Sequence, residues 1–91
     1  NSVIHFWRSR AGAEVNFVVE QSGRIMGLEV KAADLNRPRL SRSERSFIDA
    51  YQPERFVVLN RSLETTLTID DYQVDYLTPY KIATEPVLSN N

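Results

Sequence analysis

Residues 14–31, EVNFVVEQSGRIMGLEVK, decide the fold of this chain. Apolar side chains occupy every second position of residues 14–20 and again of residues 24–31. This alternation is typical of strands with one face buried. Residues 21–23 between the two runs end in a glycine, which can adopt the positive φ of a tight turn. The pattern predicts an antiparallel hairpin.

A further strand is predicted before this hairpin. Residues 3–9, VIHFWRS, are rich in β-branched and aromatic side chains, which favour a pleated and half-buried surface. Residues 11–13, AGA, interrupt the strand pattern before the hairpin begins. Three strands with short links predict an antiparallel meander.

The hydrophobic period changes after the meander. Ser41 and Glu44 have the spacing of a capping box, which predicts a helix over residues 41–52 that Pro53 ends. Residues 56–59, FVVL, are continuously apolar, as in a strand that is buried on both faces. Strand, helix and buried strand in this order predict a parallel crossover.

The rest of the chain predicts shorter elements. Residues 34–39 form a polar loop, and residues 67–70 and 72–77 form two extended pieces around an Asp-Asp turn. Residues 78–82, TPYKI, predict a last helical turn. We therefore expect one mixed α/β domain that spans residues 1–91.

Composition excludes several classes of protein. With 42% hydrophobic and 25% charged residues and a net charge of −1, the chain fits a small globular domain and not a polycation. No apolar run is long enough for a transmembrane helix. The sequence has no cysteine, which excludes disulfides, thiolate zinc sites and cysteine nucleophiles and fits a reducing, cytoplasmic compartment. Because it begins at Asn1 without a signal-like segment, we expect a fragment of a longer chain.

The charge is unevenly distributed. Residues 1–61 carry ten basic and seven acidic side chains, whereas residues 62–91 carry one basic and five acidic side chains. The basic side chains are densest at Arg37, Arg39, Arg42 and Arg45. This stretch predicts contacts with phosphate groups, and the alternative is a solvated loop and helix start.

Two kinds of site are excluded by residue counts. His5 is the single histidine, so histidine triads and multi-histidine metal sites are excluded. The three glycines do not form a phosphate-binding loop, so nucleotide hydrolysis has no site in these residues.

One group of residues could carry chemistry. Glu29 and Lys31 lie on one face of the third predicted strand, and Gly27 on that face leaves room beside Glu29 for an ion or a backbone. We expect Asn16 on the second strand to lie opposite Val30 and so near both charged side chains. A carboxylate, an amide oxygen and a lysine fit a divalent cation with its water, and the alternative is a cross-strand ion pair.

Four motifs follow one another along the chain: FWR at residues 6–8, GAEVNFV at residues 12–18, EVK at residues 29–31 and LTP at residues 77–79. In this order they resemble the PD-(D/E)xK nuclease superfamily. More narrowly, the chain is similar to the nuclease-like C-terminal domain of prokaryotic AAA-type ATPases, over about residues 4–83.

This resemblance implies a fold and a site. The fold is a restriction-endonuclease-like mixed β-sheet, an antiparallel three-strand meander followed by a crossover helix and a buried parallel strand, truncated at the N-terminus. The site residues are Asn16, Glu29 and Lys31, and a weakly held Mg²⁺ or Mn²⁺ is bound by Glu29, Asn16 and the Val30 carbonyl. Asn16 departs from the family, which has an aspartate there, and an acidic residue on an upstream helix has no counterpart.

The resemblance also implies a function. We expect a nuclease-like accessory domain with weak or no cleavage that binds DNA phosphates, without reading sequence, through Lys31 and the four arginines at positions 37, 39, 42 and 45. The ATPase domain of the same chain would be a partner and would hold the ATP. The alternatives are an active magnesium-dependent phosphodiesterase and a purely structural docking or dimerisation module.

Overall fold

The computed structural model describes residues 2–9 and 14–84. Its elements, in chain order, are β1 (Ser2–Ser9), β2 (Glu14–Gln21), β3 (Arg24–Lys31), α1 (Arg42–Tyr51), β4 (Arg55–Leu59), β5 (Thr65–Ile69), β6 (Tyr72–Leu77) and α2 (Pro79–Thr84). The strands form one mixed sheet in the order β1-β2-β3-β4-β6-β5. The predicted mixed α/β class is confirmed; the predicted break at residues 11–13 lies outside the described residues.

The predicted meander is confirmed, because β1 pairs antiparallel with β2, and β2 pairs antiparallel with β3. Ser22 and Gly23 form a two-residue loop and have φ angles of 54° and 77°. Two consecutive positive φ angles are the geometry that matches the twist of a hairpin. Gln21, which we expected in the turn, is the last residue of β2 and pairs with Arg24.

The predicted register of this hairpin was wrong by one residue. Asn16 lies opposite Glu29, and Val30 lies opposite Val15. Residues directly opposite each other in an antiparallel pair point to the same face of the sheet. The observed register therefore places Asn16 and Glu29 on one face, side by side.

The predicted crossover is also confirmed. β3 and β4 are parallel neighbours, and α1 connects them along the chain. The capping box begins α1: Ser41 Oγ accepts from the Glu44 backbone N–H at 3.1 Å, and Glu44 Oε1 accepts from the Ser41 N–H at 2.6 Å. Gln52 ends the helix in the left-handed conformation, with φ 46°.

The last two strands extend the sheet beyond β4. β6 pairs parallel with β4, and β5 pairs antiparallel with β6 at the edge. The predicted Asp-Asp turn joins them, with Asp70 and Asp71 at φ 49° and 69°. Short polar side chains tolerate this left-handed region better than most residues, which explains the turn.

The core lies on both faces of β4. On one face, Phe47 and Ile48 of α1 pack with Phe56, Val58 and residues of β6. On the other face, Met26, Val57 and Leu77 form a second cluster, against which Ile82 of α2 packs. Within the described ranges, no helix combines the length and the apolar character that crossing a membrane requires.

The space beside Gly27 is filled, contrary to our expectation of room for an ion. A Cβ atom at Gly27 would lie 2.5 Å from a ring atom of Phe47 and 2.5 Å from one of Phe56. Both rings are buried, and Phe47 comes from α1. The missing side chain therefore lets α1 approach β3 closely, which brings the start of the helix over the end of the strand.

We predict that Gly27→Ala destabilises the fold. The added methyl group overlaps two buried rings, and such overpacking costs about 1–3 kcal/mol of unfolding free energy. Chemical denaturation measures the change. In a Phe47→Leu background, where the ring is absent, we expect a smaller cost for Gly27→Ala. Equal stability of Gly27→Ala and wild type would contradict this close approach.

Candidate functional site

The site lies at the C-terminal end of β3, on the face that α1 covers. Glu29 and Lys31 follow Gly27 on this face, because side chains alternate along a strand. The Glu29 side chain is 1% exposed, and the Lys31 side chain is 16% exposed. Lys31 Nζ lies 3.6 Å from Glu29 Oε2. The structure thus brings together the two charged residues that the sequence indicated.

Asn16 lies on β2 directly opposite Glu29. It is 2% exposed, and neither its side-chain oxygen nor its nitrogen has a hydrogen-bond partner among the described residues. A buried amide without hydrogen bonds is rare, because desolvation of such a group costs about 1–3 kcal/mol. Asn16 is therefore a polar group placed at the site with donor and acceptor capacity unused within the described part of the chain.

A second carboxylate reaches the site from α1. Glu44 is fully buried, and its Oε2 atom lies 3.4 Å from Lys31 Nζ. The Lys31 ammonium group therefore bridges two buried carboxylates, Glu29 from its own strand and Glu44 from the crossover helix. We call Asn16, Glu29, Lys31 and Glu44 the buried polar cluster.

The sequence predicts only a capping role for Glu44. The capping bond uses Oε1 and leaves Oε2 facing Lys31. One signal in the sequence could have identified this second role. Glu44 precedes Phe47 by three residues and Ile48 by four, so it shares the core face of the helix.

Electrostatic interactions keep Glu44 charged. Burial raises the pKa of the Glu44 carboxyl group. Hydrogen bonds with Glu29 and Ser41 and the charge of Lys31 lower this pKa, and together they outweigh the effect of burial. The net effect is a pKa below the ordinary value for glutamate. Hydrogen bonding and an opposite charge thus outweigh desolvation at this position.

Tyr76 of β6 borders the cluster, a position that the sequence did not predict. Burial, followed by the charges of Glu44 and Glu29, raises the pKa of its phenol to about 12. Its hydroxyl oxygen accepts a hydrogen bond from the Arg39 backbone N–H at 3.0 Å. Tyr76 therefore fastens the loop before α1 next to the cluster. No sequence motif indicates this contact, because Tyr76 is 37 residues from Arg39.

A surface pocket of about 390 Å³ opens beside the cluster. It is lined by Lys31, Arg37, Arg39 and Ser41, with Asp34, Leu35 and Asn36. Of the five predicted phosphate contacts, three therefore line one pocket. The other two stand on α1: Arg42 is exposed at its first turn, and Arg45 lines a different pocket with Leu40, Ile48 and residues of β6.

The donor set of the cluster fits a hard divalent cation in type. Glu29 and Glu44 offer carboxylate oxygens, and Asn16 offers an amide oxygen, which are ligands that Mg²⁺ and Mn²⁺ accept. No group of three His, Cys, Asp or Glu side chains with metal-binding geometry occurs in the described part of the chain. The Val30 carbonyl was the third predicted ligand. Val30 pairs with Val15 of β2 on one side and with Leu59 of β4 on the other, so its backbone lies inside the sheet.

Comparison with known proteins gives a family match. A family model described as a domain of unknown function, DUF4143, matches residues 1–82. No curated protein and no solved structure matches the chain.

We predict that Glu44 makes stability depend on acid pH. Its pKa is lower in the folded than in the unfolded chain, so its charge stabilises the fold at neutral pH, and this contribution is lost as pH falls through the folded pKa. Glu44→Gln keeps the capping bonds but does not titrate. Denaturation series from neutral to acid pH should therefore show a shallower loss of stability for Glu44→Gln than for wild type.

Asp49→Asn is the matched control for this series, because Asp49 lies on the same helix but is exposed. It should follow the wild-type curve. If Glu44→Gln also followed the wild-type curve, Glu44 would not be held charged by the cluster.

Proposed function

The chain belongs to the DUF4143 family, a domain of unknown function, and we propose that it is a nuclease-like accessory domain of a prokaryotic AAA-type ATPase. In this proposal it binds the phosphate backbone of nucleic acid and cleaves weakly or not at all. ATP belongs to the ATPase domain of the same chain, and the protein works in the cytoplasm.

The order of the elements supports the nuclease-like assignment. An antiparallel meander, a crossover helix and a parallel strand follow one another as in the restriction-endonuclease-like fold. Asn16 and the Glu29-Val30-Lys31 segment stand on adjacent strands in direct register. These are the positions that carry chemistry in the superfamily that the sequence resembles.

One observation carries the binding proposal: Lys31 belongs both to the buried polar cluster and to the pocket that Arg37 and Arg39 line. Three cationic side chains around one open pocket suit the charged oxygens of a phosphodiester backbone. Such contacts do not distinguish bases, so the binding is not sequence-specific.

Weak cleavage follows from the charges of the cluster. Asn16 is neutral where the superfamily has an aspartate, which removes one negative charge from a cation site. Two carboxylates lie 3.6 and 3.4 Å from the Lys31 nitrogen and offset its positive charge, which weakens its support of the negative charge that develops during cleavage. When bound, Mg²⁺ or Mn²⁺ would stabilise phosphate charge and acidify water, and Asn16 and Glu29 would hold it.

An active metal-dependent phosphodiesterase is the second candidate. The observation that favours it is Glu44, which adds a second buried carboxylate beside Glu29 and Lys31. Metal-dependent nicking of DNA that disappears in Glu29→Ala would select this candidate over a domain that only binds.

We predict that the 91-residue chain binds duplex DNA in EDTA with a strong dependence on salt. Arg39→Ala removes one cation from the pocket but keeps the backbone bond to Tyr76. Its affinity should fall, and the slope of log K against log salt should decrease by roughly 1. Fluorescence anisotropy with a labelled duplex at several salt concentrations measures both quantities.

Arg24→Gln is the control for net charge, because Arg24 lies at the opposite end of β3 and pairs with Glu54. It should leave the salt slope unchanged, and Arg45→Ala should change it less than Arg39→Ala. If the wild-type chain had no DNA affinity near physiological salt, a docking module would replace the binding proposal.

A further inference from the structure

Two buried carboxylates converge on one point from different elements, Glu29 from β3 and Glu44 from α1. We propose that Glu44 is a ligand of a divalent cation that it shares with Glu29 and the side-chain oxygen of Asn16. The crossover helix thereby supplies the carboxylate that β2 lacks at Asn16. The inference deepens the proposed function, because it rests on the same nuclease-like site.

Asn16 is the independent observation that points to a ligand. Its side chain is almost fully buried, faces the same side of the sheet as Glu29 and has no hydrogen-bond partner within the described ranges. A cation, or a water molecule bound to it, would use the amide oxygen that the described residues leave unused.

The two carboxylate oxygens of Glu44 have different roles, Oε1 in the helix cap and Oε2 in the proposed cation site. Oε1 accepts the capping bond from the Ser41 N–H, which fixes the orientation of the carboxylate. Oε2 is buried and faces Lys31 Nζ at 3.4 Å. A ligand fixed by its own helix cap loses little conformational freedom when a cation binds.

The Lys31 ammonium group now lies against both carboxylates, so a divalent cation must displace it. The displacement has a route, because Lys31 is partly exposed and lines the pocket beside the cluster. Two carboxylates balance the charge of one divalent cation. The Lys31 ammonium group then stands at the pocket, where it can meet a phosphate.

The test is a titration of Mn²⁺ into the ¹⁵N-labelled 91-residue chain without nucleic acid. Paramagnetic broadening should first affect the amides of Asn16, Glu29, Lys31 and Glu44. The apparent Kd should be about tenfold or more weaker in Glu44→Gln, which keeps the cap but loses the charge. Asp49→Asn, an exposed change on the same helix, should leave Kd unchanged.

A double variant that moves the carboxylate from position 44 to position 16 separates the loss of the cation site from a folding defect. Asn16→Asp in the Glu44→Gln background returns one carboxylate to the cluster and should restore most of the lost Mn²⁺ affinity. Equal Kd values for wild type and Glu44→Gln would overturn the proposal. Broadening confined to the Asp70-Asp71 turn, or none at these amides at millimolar Mn²⁺, would overturn it too.

The DNA titration in EDTA separates this inference from the proposed function. Phosphate binding through the pocket needs no metal, so DNA affinity in EDTA with an unchanged Mn²⁺ Kd in Glu44→Gln would overturn only the role of Glu44. Tight Mn²⁺ binding at the cluster without DNA affinity would overturn only the proposed nucleic-acid function.

Discussion

The Lys31 ammonium group between the carboxylates of Glu29 and Glu44 is the interaction on which the site depends. Its 3.4 Å contact with Glu44 joins the end of β3 to the first turn of α1, and its 3.6 Å contact is with Glu29 of its own strand. Removing the Lys31 ammonium group would leave two buried carboxylates without a positive charge beside them, which is costly. The close approach of α1 at Gly27 is what makes this contact possible. A packing feature and an electrostatic feature thus position the same helix.

Much of the fold could be predicted because the signals were local. Alternation defined β2 and β3, the capping box defined the start of α1, and the apolar run of β4 indicated burial on both faces. The hairpin register could not be derived in the same way. It depends on whether Gln21 belongs to the turn or to β2, and a shift of one residue changes which side chains share a face.

The site could be predicted only where a motif lay on one element. Glu29 and Lys31 follow from strand alternation, whereas Glu44 and Tyr76 join them through contacts between elements. The room expected at Gly27 is filled by a ring from α1, which no local pattern indicates. Because of the contact with Glu44, the neutral side chain of Asn16 does not leave Glu29 as the single carboxylate of the buried polar cluster. The cluster still contains two carboxylates, but one of them comes from the helix.

The most direct test is to observe the ammonium group of Lys31 itself. A ¹H–¹⁵N spectrum of the lysine ammonium groups at cool, mildly acidic conditions separates a held ammonium from a solvated one by hydrogen exchange. Lys31 is mostly buried between two carboxylates, so the account predicts a resolved, slowly exchanging signal that disappears in Glu44→Gln. A Lys31 signal that exchanges with solvent equally fast in wild type and Glu44→Gln would contradict it.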